Sequence, residues 1–140
     1  MADLHHEIHI AASHEAVLAS LVTQQGLQGW WTADCVATPQ LGSVAEFGFG
    51  GRSTVFRMKV TELSDYRVVW RCLGDVAEWK GTRLIWDVLP RQGGVTVRLT
   101  HADWAATDGW FAACNSTWGA LMHRLRAHAE GRNPGPMFTD

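Results

Sequence analysis

Residues 82–101 read TRLIWDVLPRQGGVTVRLTH, and their alternation decides the fold. Thr82, Leu84, Trp86 and Val88 fall on one face of an extended chain, while Arg83, Ile85 and Asp87 fall on the other. Val95, Val97, Leu99 and His101 repeat the pattern against Thr96, Arg98 and Thr100. Between the runs stands Arg91-Gln92-Gly93-Gly94, a link that joins neighbouring antiparallel strands. The result is a hairpin with one apolar face.

Upstream the same grammar continues. Strands are expected at Cys35–Thr38, Ser43–Phe49, Thr54–Leu63 and Arg67–Leu73, and the hairpin itself supplies Thr82–Leu89 and Val95–His101. Turn-forming runs separate them: PQLG, GFGG at residues 48 to 51, SDY and GDVAEWKG. Phe56, Met58 and Val60 oppose Arg57, Lys59 and Thr61, and Val68, Trp70 and Cys72 oppose Val69 and Arg71. An antiparallel meander therefore carries one large apolar face and one polar face.

The N-terminal run LHHEIHI places Leu4, His6, Ile8 and Ile10 on one side of a further strand. Ser13 then offers an N-cap, with Glu15 in the first turn, for a short helix through Val22. Thr23 caps a second short helix, where Gly26 and Gly29 allow close packing or a bend. Downstream, Phe111, Cys114, Trp118, Leu121 and Leu125 recur at spacings of three and four, the stripe of an amphipathic helix that can cover the sheet. Thr107 or Asp108 is expected to cap it, and Gly131 with Pro134 to end it, giving a length on the order of 35 Å. Gly119 and Ala120 are small near its middle, where a bulky side chain would fill the space against the sheet. Residues 131–140 form a short irregular tail. The whole, residues 1–140, is one α+β domain: a curved antiparallel sheet wrapped around a long C-terminal helix, with two short helices after strand 1.

That order, with particular residues, resembles the START/Bet v 1-like superfamily, and within it the group related to the Hsp90-ATPase activator C-terminal domain. The residues concerned are Ala12 to Val17 after the first strand, Gly29-Trp30-Trp31, and Gly42 before Phe47 and Phe49. Trp70, Trp79-Lys80-Gly81-Thr82, Leu99-Thr100-His101, and Trp118 followed by Leu121 and Leu125 complete the set. The resemblance spans roughly residues 4 to 130. It implies a helix-grip fold with a cavity between sheet and helix, used across the superfamily by lipid carriers, hormone receptors, polyketide cyclases and co-chaperones. The eukaryotic co-chaperone carries an additional N-terminal domain that is not seen here, which weakens the expectation of an Hsp90-type partner.

Composition narrows the function classes. A net charge of −2 with scattered Lys and Arg forms no basic stripe, so no nucleic acid is expected. No apolar run is long enough for a bilayer, and no leader pattern opens the chain, so no membrane contact is expected. Three cysteines, odd in number and far apart, suit a reducing compartment, and a cytoplasmic location is expected. Eight tryptophans against five phenylalanines and one tyrosine favour an aromatic-walled pocket.

The expected cavity-lining residues are the inward aromatics Trp31, Phe49, Phe56, Trp70, Trp86 and Trp118, with Met58 and Met122 as adaptable neighbours. The plain alternative is that they are core. His101, ending an apolar-faced strand before Asp103, is the candidate to orient a ligand or move a proton; a hydrogen-bonded structural role is the alternative. Asp103 is its obvious partner in sequence. His5, Glu7 and His9 share a strand face and permit a weak zinc site, but a polar edge face explains them, and no metal is expected. Cys72 and Cys114 lie on inward faces with no base beside them and read as buried apolar residues. No dinucleotide, phosphate-loop or serine-hydrolase motif occurs, and no cofactor is expected.

The preferred reading is a module that sequesters, senses or carries a small hydrophobic or aromatic molecule. A polyketide cyclase- or hydrolase-like enzyme using the same cavity, and a co-chaperone-like interaction domain, are the alternatives. Monomer and homodimer both remain open.

Overall fold

The hairpin of residues 82–101 closes with Arg91 opposite Gly94, Trp86 opposite Leu99 and Leu84 opposite His101. The computed structural model describes all of residues 1–140. In chain order it holds β1 (Ala2–Ile10), α1 (His14–Val22), α2 (Gln24–Gln28), β2 (Cys35–Val36), β3 (Val44–Phe49) and β4 (Thr54–Leu63). These are followed by β5 (Arg67–Cys72), β6 (Arg83–Arg91), β7 (Gly94–Trp104) and α3 (Phe111–Ala129). One seven-stranded sheet runs β1-β7-β6-β5-β4-β3-β2, with every neighbouring pair antiparallel. This is the α+β helix-grip architecture expected from the sequence.

The two faces follow the alternation. Leu84, Trp86, Val88, Val95, Val97 and Leu99 are buried with Val68 and Trp70 in one core. The opposite face carries cross-strand ion pairs, Arg98 to Glu7 at 2.6 Å, Arg83 to Asp103 at 2.7 Å and Arg67 to Asp87 at 3.6 Å. His5 and His9 belong to this face, meeting Thr100 and Thr96 across the β1–β7 pair.

Local signals set the helices. The Ser13 hydroxyl accepts the Ala16 N–H at 3.2 Å. Thr23 Oγ1 accepts the Gly26 N–H at 2.9 Å and donates to the Ala19 carbonyl at 2.6 Å, so one side chain ends α1 and starts α2. Gly26 is required there by close approach, since a Cβ would lie 2.2 Å from the Ala19 carbonyl oxygen.

Several boundaries differ from expectation. β7 continues to Trp104 rather than stopping at His101, because β1 extends back to Ala2, which pairs with Trp104 across a bulge. β3 ends at Phe49 as expected, but the turn expected from residue 48 starts only beyond it, where Gly50, Gly51 and Arg52 all have positive φ. Neither Thr107 nor Asp108 caps α3: Gly109 at φ 67 redirects the chain, Trp110 takes the cap position, and Glu78 accepts the Trp110 N–H at 3.5 Å. A carboxylate near that helix end suits its dipole. Starting at Phe111, α3 has 19 residues and spans about 28 Å, shorter than expected. Ala120 is exposed, whereas Gly119 approaches His6 of β1.

Two substitutions should move stability in opposite directions. Gly26→Ala should destabilise the domain by about 2–3 kcal/mol, because backbone must shift to admit the methyl. Gly119→Ala should stabilise it by about 0.5–1 kcal/mol, since the new Cβ meets only ordinary contact with His6 at 3.6 Å in a helix interior. Urea unfolding of the two variants checks both signs.

Candidate functional site

The backbone of α3 lies close to β1 and α1. Leu121, Met122 and Leu125 are buried in its C-terminal half, while the first turns carry half-buried Phe111, Cys114 and Thr117. Between those first turns and the β3–β4 hairpin lies a cavity of about 360 Å³. Phe49, Thr54 and Phe56 form the hairpin wall, and Ala113, Cys114, Thr117, Trp118 and Leu121 form the helix wall. Trp31 enters from the segment after α2, Trp79 from the β5–β6 connection, and Phe138 from the tail. Trp110, 41% exposed, stands at the lip.

The walls are continuous aromatic surface. Phe56 packs on Trp79 with ring centres 4.3 Å apart, Phe49 on Phe56 at 5.3 Å, and Trp31 on Trp118 at 5.1 Å. Threonines 54 and 117 supply the only side-chain oxygens on the lining, and no carboxylate or imidazole reaches it. The Cys114 thiol accepts the Trp79 indole N–H at 3.4 Å, and burial pushes its pKa up, so it stays protonated and a poor nucleophile at neutral pH. Burial likewise pushes the Cys35 thiol up to about 12 and the Cys72 thiol to about 11.

Of the residues expected to touch a ligand, Trp31, Phe49, Phe56 and Trp118 come together on the lining. Trp70 and Trp86 stand behind them, with Trp70 stacked on Trp31 at 6.4 Å and Trp86 edge-on to Trp118 at 5.8 Å. Met58 and Met122 are buried core residues away from the lining. Sequence reasoning passed over Trp79, Trp110 and Phe138 as cavity residues. All three sit in irregular segments without periodicity, where the one available signal is that so large an apolar ring must find cover.

His101 lies beneath the cavity rather than at its mouth, and is fully buried. The Trp118 indole N–H donates to its Nδ1 at 3.1 Å, and an indole can only donate, so Nδ1 carries no proton. Nε2 must then hold the hydrogen, which it donates to Thr82 Oγ1 at 2.9 Å; that hydroxyl passes its own hydrogen to the Trp79 carbonyl at 2.7 Å. The chain is complete, with both ring nitrogens committed. Burial lowers the imidazole pKa to about 3. Asp103 is not its partner: at φ 70 it turns to the solvent face and accepts from Arg83 at 2.7 Å.

A sheet that grips one long helix and encloses an apolar cavity defines a START/Bet v 1-like domain. The solution structure of the Aha1 dimer from Colwellia psychrerythraea superposes with a TM-score of 0.86 at 31% identity, covering 94% of this chain and 98% of that one. The chain belongs to this Aha1-like family. An AHSA1-like protein from Aeromonas hydrophila shares the fold, with a TM-score of 0.72, 15% identity and 92% of each chain covered. DynU16, from the dynemicin biosynthetic locus, does so with a TM-score of 0.81 at 15% identity, over 99% of this chain and 51% of that one. No protein-family model and no curated protein matches the chain.

The buried imidazole has a pH signature. The unfolded chain takes up a proton on His101 near pH 6.5, whereas the folded domain does not until about pH 3. Its contribution is therefore fully present above pH 6.5 and is lost as pH falls through that window, by about 1.4 kcal/mol per pH unit. His101→Gln, whose amide can replace both hydrogen bonds, should flatten the stability–pH curve by that slope. Urea unfolding of both proteins between about pH 7 and pH 4 measures the difference.

Proposed function

We propose that the domain binds a small, uncharged, hydrophobic or aromatic molecule in the cavity between the β3–β4 hairpin and the first turns of α3. The observation that carries this reading is the lining itself: aromatic rings from five separate parts of the chain converge on one space of about 360 Å³. That volume suits a molecule of about two or three rings. Affinity would come from removing apolar surface from water, and the Thr54 and Thr117 hydroxyls are placed to orient one polar substituent. A charged ligand would lose its hydration with no counter-charge on the walls.

Binding is proposed ahead of a cyclase- or hydrolase-like reaction, because His101 is fully engaged behind Trp118 and the walls offer no free acid or base. No helix is long and apolar enough to cross a membrane. The three free cysteines support a cytoplasmic setting. The Colwellia relative is described as a dimer, and we extend self-association to this chain as part of the proposal.

A thermal-shift screen against two- and three-ring aromatics tests the reading. A ligand at about 100 times its Kd should raise the melting temperature by roughly 5–15 °C. Ala113→Trp places an indole at an exposed helix position on the cavity wall, so it should block binding at least tenfold while leaving the melting temperature of the free protein within a few degrees. Undiminished binding in that variant would place the ligand elsewhere.

A further inference from the structure

Residues 132–140 hold no helix or strand beyond a single parallel bridge, yet they are anchored at both ends. Near α3, Arg124 Nη2 donates to the Pro134 carbonyl at 2.8 Å and to the Gly135 carbonyl at 2.5 Å. At the far end, the Phe138 N–H donates to the Trp31 carbonyl at 3.0 Å, and the Ala33 N–H to the Phe138 carbonyl at 2.9 Å. The Gly50 N–H, in the β3–β4 turn, donates to the Asp140 carbonyl at 2.8 Å. At this far anchor the Phe138 ring closes one side of the cavity, edge-on to Phe49 at 5.0 Å.

The anchored segment differs from the rest of the core. None of its residues is fully buried, and only Met137 and Phe138 pack as large apolar side chains on the core. Pro134 and Pro136 stiffen it, while Gly131 at φ 87 and Gly135 at φ 73 sit where swivelling costs least. Lifting it exposes its backbone groups to water, which can replace their partners, and breaks no sheet pairing apart from the Thr32–Phe138 bridge. Arg124 is the latch, a guanidinium from the later turns of α3 turned onto two main-chain carbonyls. We propose that residues 132–140 are a strap that opens and closes this cavity, with Arg124 holding it shut and Phe138 as the movable wall. The inference rests on the ligand-binding reading, since a gate matters only to an occupied site.

Native-state amide hydrogen exchange on the full chain, combined with thiol labelling, tests the strap without a ligand. In the wild type the Ala33, Gly50 and Phe138 amides should exchange together, at least tenfold faster than the Val97 amide of β7, a strand paired on both sides. Arg124→Ala should speed those three at least a further tenfold and leave Val97 protected. In the same variant, labelling of Cys114 by N-phenylmaleimide, read by peptide mass, should rise at least fivefold. Loss of Val97 protection would show that this variant is misfolded, and Arg124→Met, which keeps the aliphatic length but removes both hydrogen bonds, then carries the same two measurements. The strap is overturned if the three amides exchange only along with Val97, or if Cys114 labelling is unchanged in a folded variant. A failure to bind any apolar molecule would leave both readouts standing and would count against the ligand reading alone.

Discussion

The hydrogen bond from the Trp118 indole to His101 Nδ1 fixes how the long helix sits on the sheet. Trp118 belongs to α3, His101 to β7, Thr82 to the entry of β6, and Trp79 to the connection before it, so the relay joins four parts of the chain through buried polar groups. Each group has one role open to it. The indole can only donate, the neutral imidazole takes one hydrogen bond and gives one, and the hydroxyl passes the last to a carbonyl. A shift of α3 along the sheet would orphan the Trp118 indole N–H and His101 Nδ1, both buried, at a cost of about 1–3 kcal/mol each. Apolar packing alone tolerates sliding far better.

With that point fixed, the remaining geometry follows. Leu121, Met122 and Leu125 hold the C-terminal half of α3 down, with Gly119 allowing close approach to His6. The other half carries Ala113, Cys114 and Thr117 where larger residues would fill the gap, so the space in front of Phe49 and Phe56 stays open. The relay that locates the helix occupies both ring nitrogens of His101, and burial keeps the ring neutral. A histidine that looks available for chemistry in the sequence is a structural pin in the fold, and the cavity in front of it is left without a titrating imidazole.

Much of the framework was legible because it is periodic. The alternation through Thr82–His101 and Thr54–Leu63 gave the strands and their inward faces, and Ser13 and Thr23 marked both short helices by the chemistry of their side chains. The start of α3 was not legible, because its end is set by Gly109 and by Glu78 from a distant connection rather than by an adjacent cap. The site was half legible for the same reason. Trp31, Phe49, Phe56 and Trp118 were marked by an inward face or the family resemblance, whereas Trp79, Trp110 and Phe138 reach the cavity from irregular segments whose course depends on tertiary contacts. Periodicity says which way Trp70 and Trp86 point. It does not say that a first layer of rings stands between them and the cavity.

Eight indole N–H groups spread through one small domain make its occupancy directly readable. The most direct measurement is a two-dimensional ¹H–¹⁵N spectrum of the indole region during titration with 2-naphthol. Occupancy of the cavity predicts that the Trp31, Trp79, Trp110 and Trp118 resonances move in a saturable way, while those of Trp30 and Trp104 hold still. Saturable binding that moves Trp30 and Trp104 and leaves the four lining indoles in place would contradict the account, as would a spectrum unchanged by every two- or three-ring aromatic tried.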